Sequence, residues 1–252
     1  MAEASAILQR GILALAAMDL ACEAASSPDK NLALMAMYRS RSLRHQQTAL
    51  PQFRSLLENP DHSHADGKTI FVFSIFLLFL AFASAHSAET KPTIDDILDL
   101  FALFRGPRML WKIAQENADR VVIDGIFPNR MAETPNRDKT SEGRPYQSLR
   151  ALPLDEAATQ ALDNLTESWK FSQLQPSDVR CMAWFPALVP DLFCAQIRQR
   201  QPHALAILSE YAGILRPFRG LWWVRSWDQV LDEAIQVVLR EESIALPVCK
   251  KS

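Results

Sequence analysis

Four side chains of this 252-residue chain could exchange protons with a bound substrate: His86, His203, Tyr211 and Asp228. His86 follows a long apolar run, where desolvation would keep an imidazole neutral and a hydrogen bond would orient it, as a general base requires. A histidine that satisfies carbonyls at a helix end explains the same position more simply. His203 follows Pro202 at a helix start, where capping or packing accounts for it. Nothing in the spacing makes the four converge. Metal chemistry is no better supported. His62 and His64 stand two apart with Asp61 and Asp66 in a polar stretch, a pattern that usually arises by chance. Asp95 and Asp96 open a helix, where carboxylates favour the positive end of the helix dipole over a metal. Cys22, Cys181, Cys194 and Cys249 form no Cys-x-x-Cys pair and no Cys/His zinc spacing. The chain has no nucleophile elbow, phosphate loop, dinucleotide glycine fingerprint or His-Glu-x-x-His. No cofactor and no metal are expected.

A second set of residues suits binding rather than chemistry. Phe73, Phe76 and Phe79 lie in TIFVFSIFLLFLAFASA, residues 69–85, the most apolar segment. Trp222, Trp223 and Trp227 fall within six residues. An indole buries a large apolar area and keeps one N–H donor, so the cluster fits either a stiff core corner or a pocket wall. Helical bundles bind lipophilic ligands between helices lined by such residues. Phe73, Phe76, Phe79, Met109, Trp222 and Trp223 are the candidate wall.

Helices must position these groups. Only 7 residues are Gly, where average usage gives roughly 18, so tight hairpins and glycine-rich phosphate loops are disfavoured. Apolar three- and four-residue steps predict helices over 4–25 and 31–58, with Pro51 ending or kinking the second. A polar loop is predicted at 59–68. Residues 69–85 are short for a membrane span and read instead as a central core helix. A helix starts near Thr93 or Asp95, Gly106 and Pro107 break it, and another runs over 108–118. Further helices are predicted at 155–172, 184–200, 202–216 and 222–240, with a frayed tail from 247. The fold class is all-α: one multi-helix orthogonal bundle of about eight to ten helices around the central apolar helix. It forms a single domain over 1–252, with a mobile polar excursion around 127–150.

Composition agrees with a large buried core, since 48% of residues are apolar. The net charge of −2 and pI near 6.2 do not suggest a nucleic-acid binder. Acidic Glu3 precedes the apolar N-terminal stretch and no basic segment does, so no secretory leader is expected. The cysteine pattern points to a reducing, intracellular setting, nucleus or cytoplasm.

The run RQPHALAILSEYA at 200–212, followed by GLWWVRSW at 220–227, resembles the closing motif of the regulatory domain of fungal zinc-cluster transcription factors of the sterol uptake control type. In that family a Pro-x-Ala-Leu helix precedes a Trp-Trp pair and commonly a Gly-Trp. Ser226-Trp227 stands at the Gly-Trp position here. The Ala/Leu segment at 12–20, FSIFLLFLAFA at 73–83 and the Phe104-Arg-Gly-Pro segment resemble earlier family helices in the same order. The resemblance covers nearly the whole chain; its Trp-Trp block is the most specific part. It implies an all-α regulatory domain that senses a hydrophobic ligand, with sterols the known ligand class. It also implies a six-cysteine zinc cluster for DNA binding, which this sequence lacks, so no direct contact with nucleic acid is expected.

The expected function is that of a stand-alone regulatory-domain homologue binding a lipophilic small molecule, sterol or terpenoid, in an interhelical pocket. The alternative is a small-molecule cyclase or isomerase of secondary metabolism on the same scaffold, with His86, His203, Tyr211 and Asp228 as the residues to test. A homodimer, or a heterodimer with a full-length regulator, is a further possible arrangement, and stable membrane insertion is not expected.

Overall fold

Alanine and leucine dominate the first segment, and both favour helix, which runs unbroken as α1 over Ala2–Ser26. A computed structural model describes residues 2–27, 31–58, 64–86, 91–117, 146–176 and 178–247. Among them stand ten α-helices and one 3₁₀ turn, with no strand, so the fold is all-α. After α1 come α2 (Leu32–Glu58), α3 (His64–His86), α4 (Ile94–Asn117) and a short α5 (Gln147–Arg150). Then follow α6 (Glu156–Leu174), α7 (Arg180–Leu188), α8 (Asp191–Arg198), α9 (Pro202–Leu215), the 3₁₀ turn Arg216–Phe218, and α10 (Trp227–Glu241).

The chain forms two compact units. The first holds α1, α2, α3 and α4 from Leu103 onward; the second holds α4 up to Ala102 and everything from α5 onward.

In the first unit α1 packs on both α2 and α3. Ser42 Oγ donates to Ala14 O at 2.8 Å, and Arg10 approaches His45 at 3.3 Å, so α1 and α2 run antiparallel. Ile7, Ala49, Phe53, Ile70 and Phe73 form its buried cluster. Phe53 and Phe73 tilt against each other at 4.9 Å, and Phe82 meets Phe104 edge-on at 5.3 Å. A β-carbon on Gly11 would stand 2.5 Å from the Phe76 ring, so glycine is what lets α1 and α3 approach this closely.

In the second unit α6 packs on α7, α8 and α9, and α9 packs on α10. Phe101, Phe185, Phe193 and Tyr211 form its aromatic centre, with ring centroids 5.0–6.5 Å apart in mostly edge-on pairs. Thr93 and Asp96 close a capping box at the start of α4. Asp95 pairs with Arg200 at 3.1 Å and Asp99 with Arg198 at 3.2 Å. Asp96 thus caps the start of α4, while Asp95 is held in an ion pair.

Five sequence expectations need correction. The 59–68 loop does not extend to 68, because α3 begins at His64. Burial of Gly67, Ile70 and Phe71 draws the polar residues before them into the helix, and tertiary packing outweighs local propensity. Gly106-Pro107 does not divide two helices, because α4 continues to Asn117. A proline inside a helix deletes only one backbone N–H bond, and the rest of the ladder can carry the helix through it. The helix expected over 184–200 is two, because Pro190 forces Val189 into extended backbone at ψ 131°. The last helix starts at Trp227 rather than 222, since Arg225 sits at φ 38°, outside helical geometry. Of the excursion at 127–150, residues 127–145 lie outside the described residues, whereas 147–150 form α5 with Leu149 buried. Arg150 holds this turn to α6 through Thr166 at 2.9 Å and Asp163 at 2.8 Å.

Candidate functional site

Proline at position 186 governs the first of the candidate groups. In α7 the amide of residue 186 would ordinarily bond to the carbonyl of Met182, but Pro186 has no N–H. The Tyr211 hydroxyl, from α9, donates to that carbonyl at 2.6 Å. Tyr211 is buried, and burial pushes its phenol far above the usual range. It is held as a hydrogen-bond donor to the backbone rather than poised for proton transfer near neutrality.

Asp228 stands in the first turn of α10 and is only 1% exposed. Both of its oxygens accept from Arg219 Nε, at 3.0 and 3.1 Å, and Oδ2 also accepts from the terminal guanidinium nitrogen. Arg216 lies 3.9 Å away. The hydrogen bonds to Asp228, reinforced by the charges of Asp228 and Asp232, raise the pKa of Arg219. This doubly bonded carboxylate pins the 3₁₀ turn to α10.

His203 lies in the first turn of α9, half-buried. Its Nε2 is 3.4 Å from Gln196 Oε1. Gln196 in turn donates to Asp155, whose other oxygen accepts the Ala158 N–H at 2.8 Å as the N-cap of α6. The chain Asp155–Gln196–His203 thus ties α6, α8 and α9 together. Tyr211, Asp228 and His203 each belong to a separate hydrogen-bond set. His86 ends α3, and its side chain lies outside the described part of the structure.

The apolar candidates divide between the units. Phe73 is buried in the cluster of the first unit, Phe76 packs against that cluster and Gly11, and Phe79 is half-buried on the same helix. Met109 lies on α4 with its side chain outside the described part. Trp222 and Trp223 belong to the second unit, in the turn before α10; Trp222 is half-buried and Trp223 buried. Leu221 O accepts from the amides of Val224 and Arg225 at 3.0 and 2.8 Å, which fixes the turn that carries the pair.

Two polar groups were missed in the sequence. Arg180 is 1% exposed, its Nε bonds Asp178 at 2.8 and 2.9 Å, and its guanidinium lies 5.0 Å over the Phe171 ring. Ser168, in the middle of α6, is fully buried, and its hydroxyl has no hydrogen-bond partner. It is the only buried side-chain polar atom without one among the described residues. Its neighbours on the helix bond back to the backbone: Thr166 to Leu162 O at 2.7 Å, Ser172 to Trp169 O at 2.7 Å. Serine is too common on helices for sequence alone to single this one out.

The described cysteines Cys22, Cys181 and Cys194 are buried and form no disulfide with one another. Burial, with the charge of Asp178, pushes the Cys181 thiol up to about 12, which makes it a poor nucleophile. Among the described residues no group of His, Cys, Asp and Glu is arranged to hold a metal; His62 and Asp61 lie outside them. Ser5–Ser26 and Gly67–Ala85 are long and apolar enough to cross a membrane by length and composition alone.

No family model, no curated protein and no solved structure matches this chain.

Proposed function

We propose that this chain is a ligand-sensing helical module that binds a lipophilic small molecule carrying a hydroxyl, of the sterol or terpenoid class. The observation that supports this most is the unpartnered Ser168 hydroxyl. Leaving a buried hydroxyl unbonded costs about 1–3 kcal/mol, and a ligand that supplies one hydrogen bond among apolar contacts recovers that cost. Sterols and terpenoid alcohols have this character: a large apolar body with a single polar end. The sequence resemblance to sterol-sensing regulatory domains supports the same ligand class.

Binding is favoured over catalysis because the described acid and base candidates are committed elsewhere. Tyr211 serves the Met182 carbonyl, Asp228 serves Arg219, and His203 serves Gln196. A cyclase or isomerase acting through these groups would need at least one of them turned toward a substrate.

Native mass spectrometry of the purified protein tests the reading. A retained adduct of sterol or terpenoid mass, displaced by added sterol alcohol, is the expected result. Correctly folded, delipidated protein with no saturable uptake of either class would overturn it.

A further inference from the structure

α4 is one helix, yet it is divided between the two units. The second unit takes it up to Ala102, and the first takes it from Leu103 onward. The side chains follow the same division. Ile94, Ile97, Leu98, Phe101 and Phe104 are all buried and fall on one stripe of the helix. Phe101 belongs to the aromatic centre of the second unit, edge-on to Phe185 and Tyr211. Phe104, one turn further along, meets Phe82 of the first unit. Ala102 and Leu103, between the two rings, are exposed, Leu103 by 43%.

The backbone is weakened in the same turn. Pro107 has no N–H, so the Leu103 carbonyl lacks the helical bond that an amide at position 107 would give it. Leu103 is also the residue at which the helix passes from one unit to the other. Gly106 stands just before the proline, and glycine adds backbone freedom inside a helix. A β-carbon there would meet nothing within 4 Å among the described residues, so packing does not demand glycine at this position, unlike Gly11. Sharp bends in helices occur chiefly at proline.

We propose that residues 103–107 of α4 are a hinge about which the two units change their mutual orientation while each keeps its own core. The part of α4 before the hinge moves with Phe185 and Tyr211, and the part after it moves with Phe82. The bond that Pro107 omits is the one a bend in this turn would otherwise have to stretch. The exposed Ala102 and Leu103 side chains leave little packing there to release. A hinge of this kind converts an event in one unit into a new orientation of the other.

Distance measurements between paired spin labels test this on the full chain, in a Cys249→Ser background. Ser40→Cys labels an exposed position on α2 in the first unit, and Gln236→Cys an exposed position on α10 in the second. Gln160→Cys with Gln236→Cys, both exposed in the second unit, gives the width due to the labels alone. The inter-unit distribution is expected to be about twofold broader than that. Gly106→Ala with Pro107→Ala restores the missing bond and narrows it to the within-unit width. Gly213→Ala, at an exposed helical glycine with the same room, leaves it broad. Hydrogen exchange of the unlabelled wild type gives a second reading that needs no variant. Amides at 104–106 and 108–110 should exchange about tenfold faster than those at 97–101. An inter-unit distribution as narrow as the within-unit one, or equal exchange in the two stretches, overturns the proposal. So does a width that the double variant leaves unchanged, or that Gly213→Ala narrows equally.

Discussion

The Tyr211 hydroxyl donates at 2.6 Å to the Met182 carbonyl, the one that Pro186 leaves without its helical N–H. A side chain from α9 thus completes a helix that proline interrupts in α7. The pair accounts for a buried tyrosine and an interior proline together, and gives Tyr211 a structural task.

A double-mutant cycle checks it. Tyr211→Phe leaves a buried carbonyl unmet and is expected to lower stability by about 1–3 kcal/mol in denaturant titration. In a Pro186→Ala background the new amide can bond Met182, so the same Tyr211→Phe change costs much less. Equal costs in the two backgrounds would mean that the hydroxyl is not compensating for the proline.

Gly11 yields a packing prediction. A methyl added there meets the Phe76 ring at 2.5 Å and Phe73 at 3.1 Å. Overpacking costs about 1–3 kcal/mol, and the better helix propensity of alanine returns about 1. Gly11→Ala should therefore be destabilising by up to about 2 kcal/mol in thermal or chemical unfolding, where an exposed helical Gly→Ala would stabilise. A raised midpoint would contradict the close approach of α1 and α3.

Much of the helical layout could be read in the sequence, because it rests on local signals. Periodic apolar residues and the breaks after Ser26 and before Leu32 placed α1 and α2 within two residues of their ends. The start expected near Thr93 or Asp95 agrees with α4, which begins at Ile94. Prolines were harder to interpret. Pro190 breaks a helix, yet Pro51, Pro107 and Pro186 lie inside helices, since a proline's effect depends on whether the flanking turns are held by packing and whether another donor reaches the freed carbonyl. Burial patterns also cannot show which serine lacks a partner. Ser168 differs from Thr166 and Ser172 only in where its hydroxyl ends up.

The capping box at α4 predicts an acid-sensitive contribution. Asp96 accepts from the Thr93 amide at 2.8 Å and the Thr93 hydroxyl at 2.7 Å, and these bonds hold its pKa below the usual carboxylate value. A depressed folded-state pKa means that the stabilisation is complete above the unfolded value near 4 and is lost as pH falls through the folded value. Thr93→Ala should cost about 1 kcal/mol at neutral pH and reduce the steepness of unfolding below pH about 4. An unchanged acid profile in Thr93→Ala would refute the assignment.

His45 works in the opposite sense. Burial, then the charges of Arg10 and Arg44, lower its pKa. Above the unfolded value near 6.5 the ring is neutral in both states and carries no penalty. As pH falls below that value the unfolded chain takes up the proton more readily, so stability declines until the folded ring also protonates. His45→Gln should flatten the stability profile between pH about 6.5 and 5, measured by denaturant midpoints. Retention of the full slope in that variant would assign it to other groups.

Ser168 tests the ligand-binding account most directly. Calorimetric titration of delipidated wild type and Ser168→Ala with a sterol or terpenoid alcohol, alongside thermal unfolding of both without ligand, separates the possibilities. Removing an unbonded buried hydroxyl should raise the unfolding midpoint of the free protein and weaken binding of the alcohol by about tenfold. Equal affinity in the two proteins, or no saturable binding to either, would contradict the account.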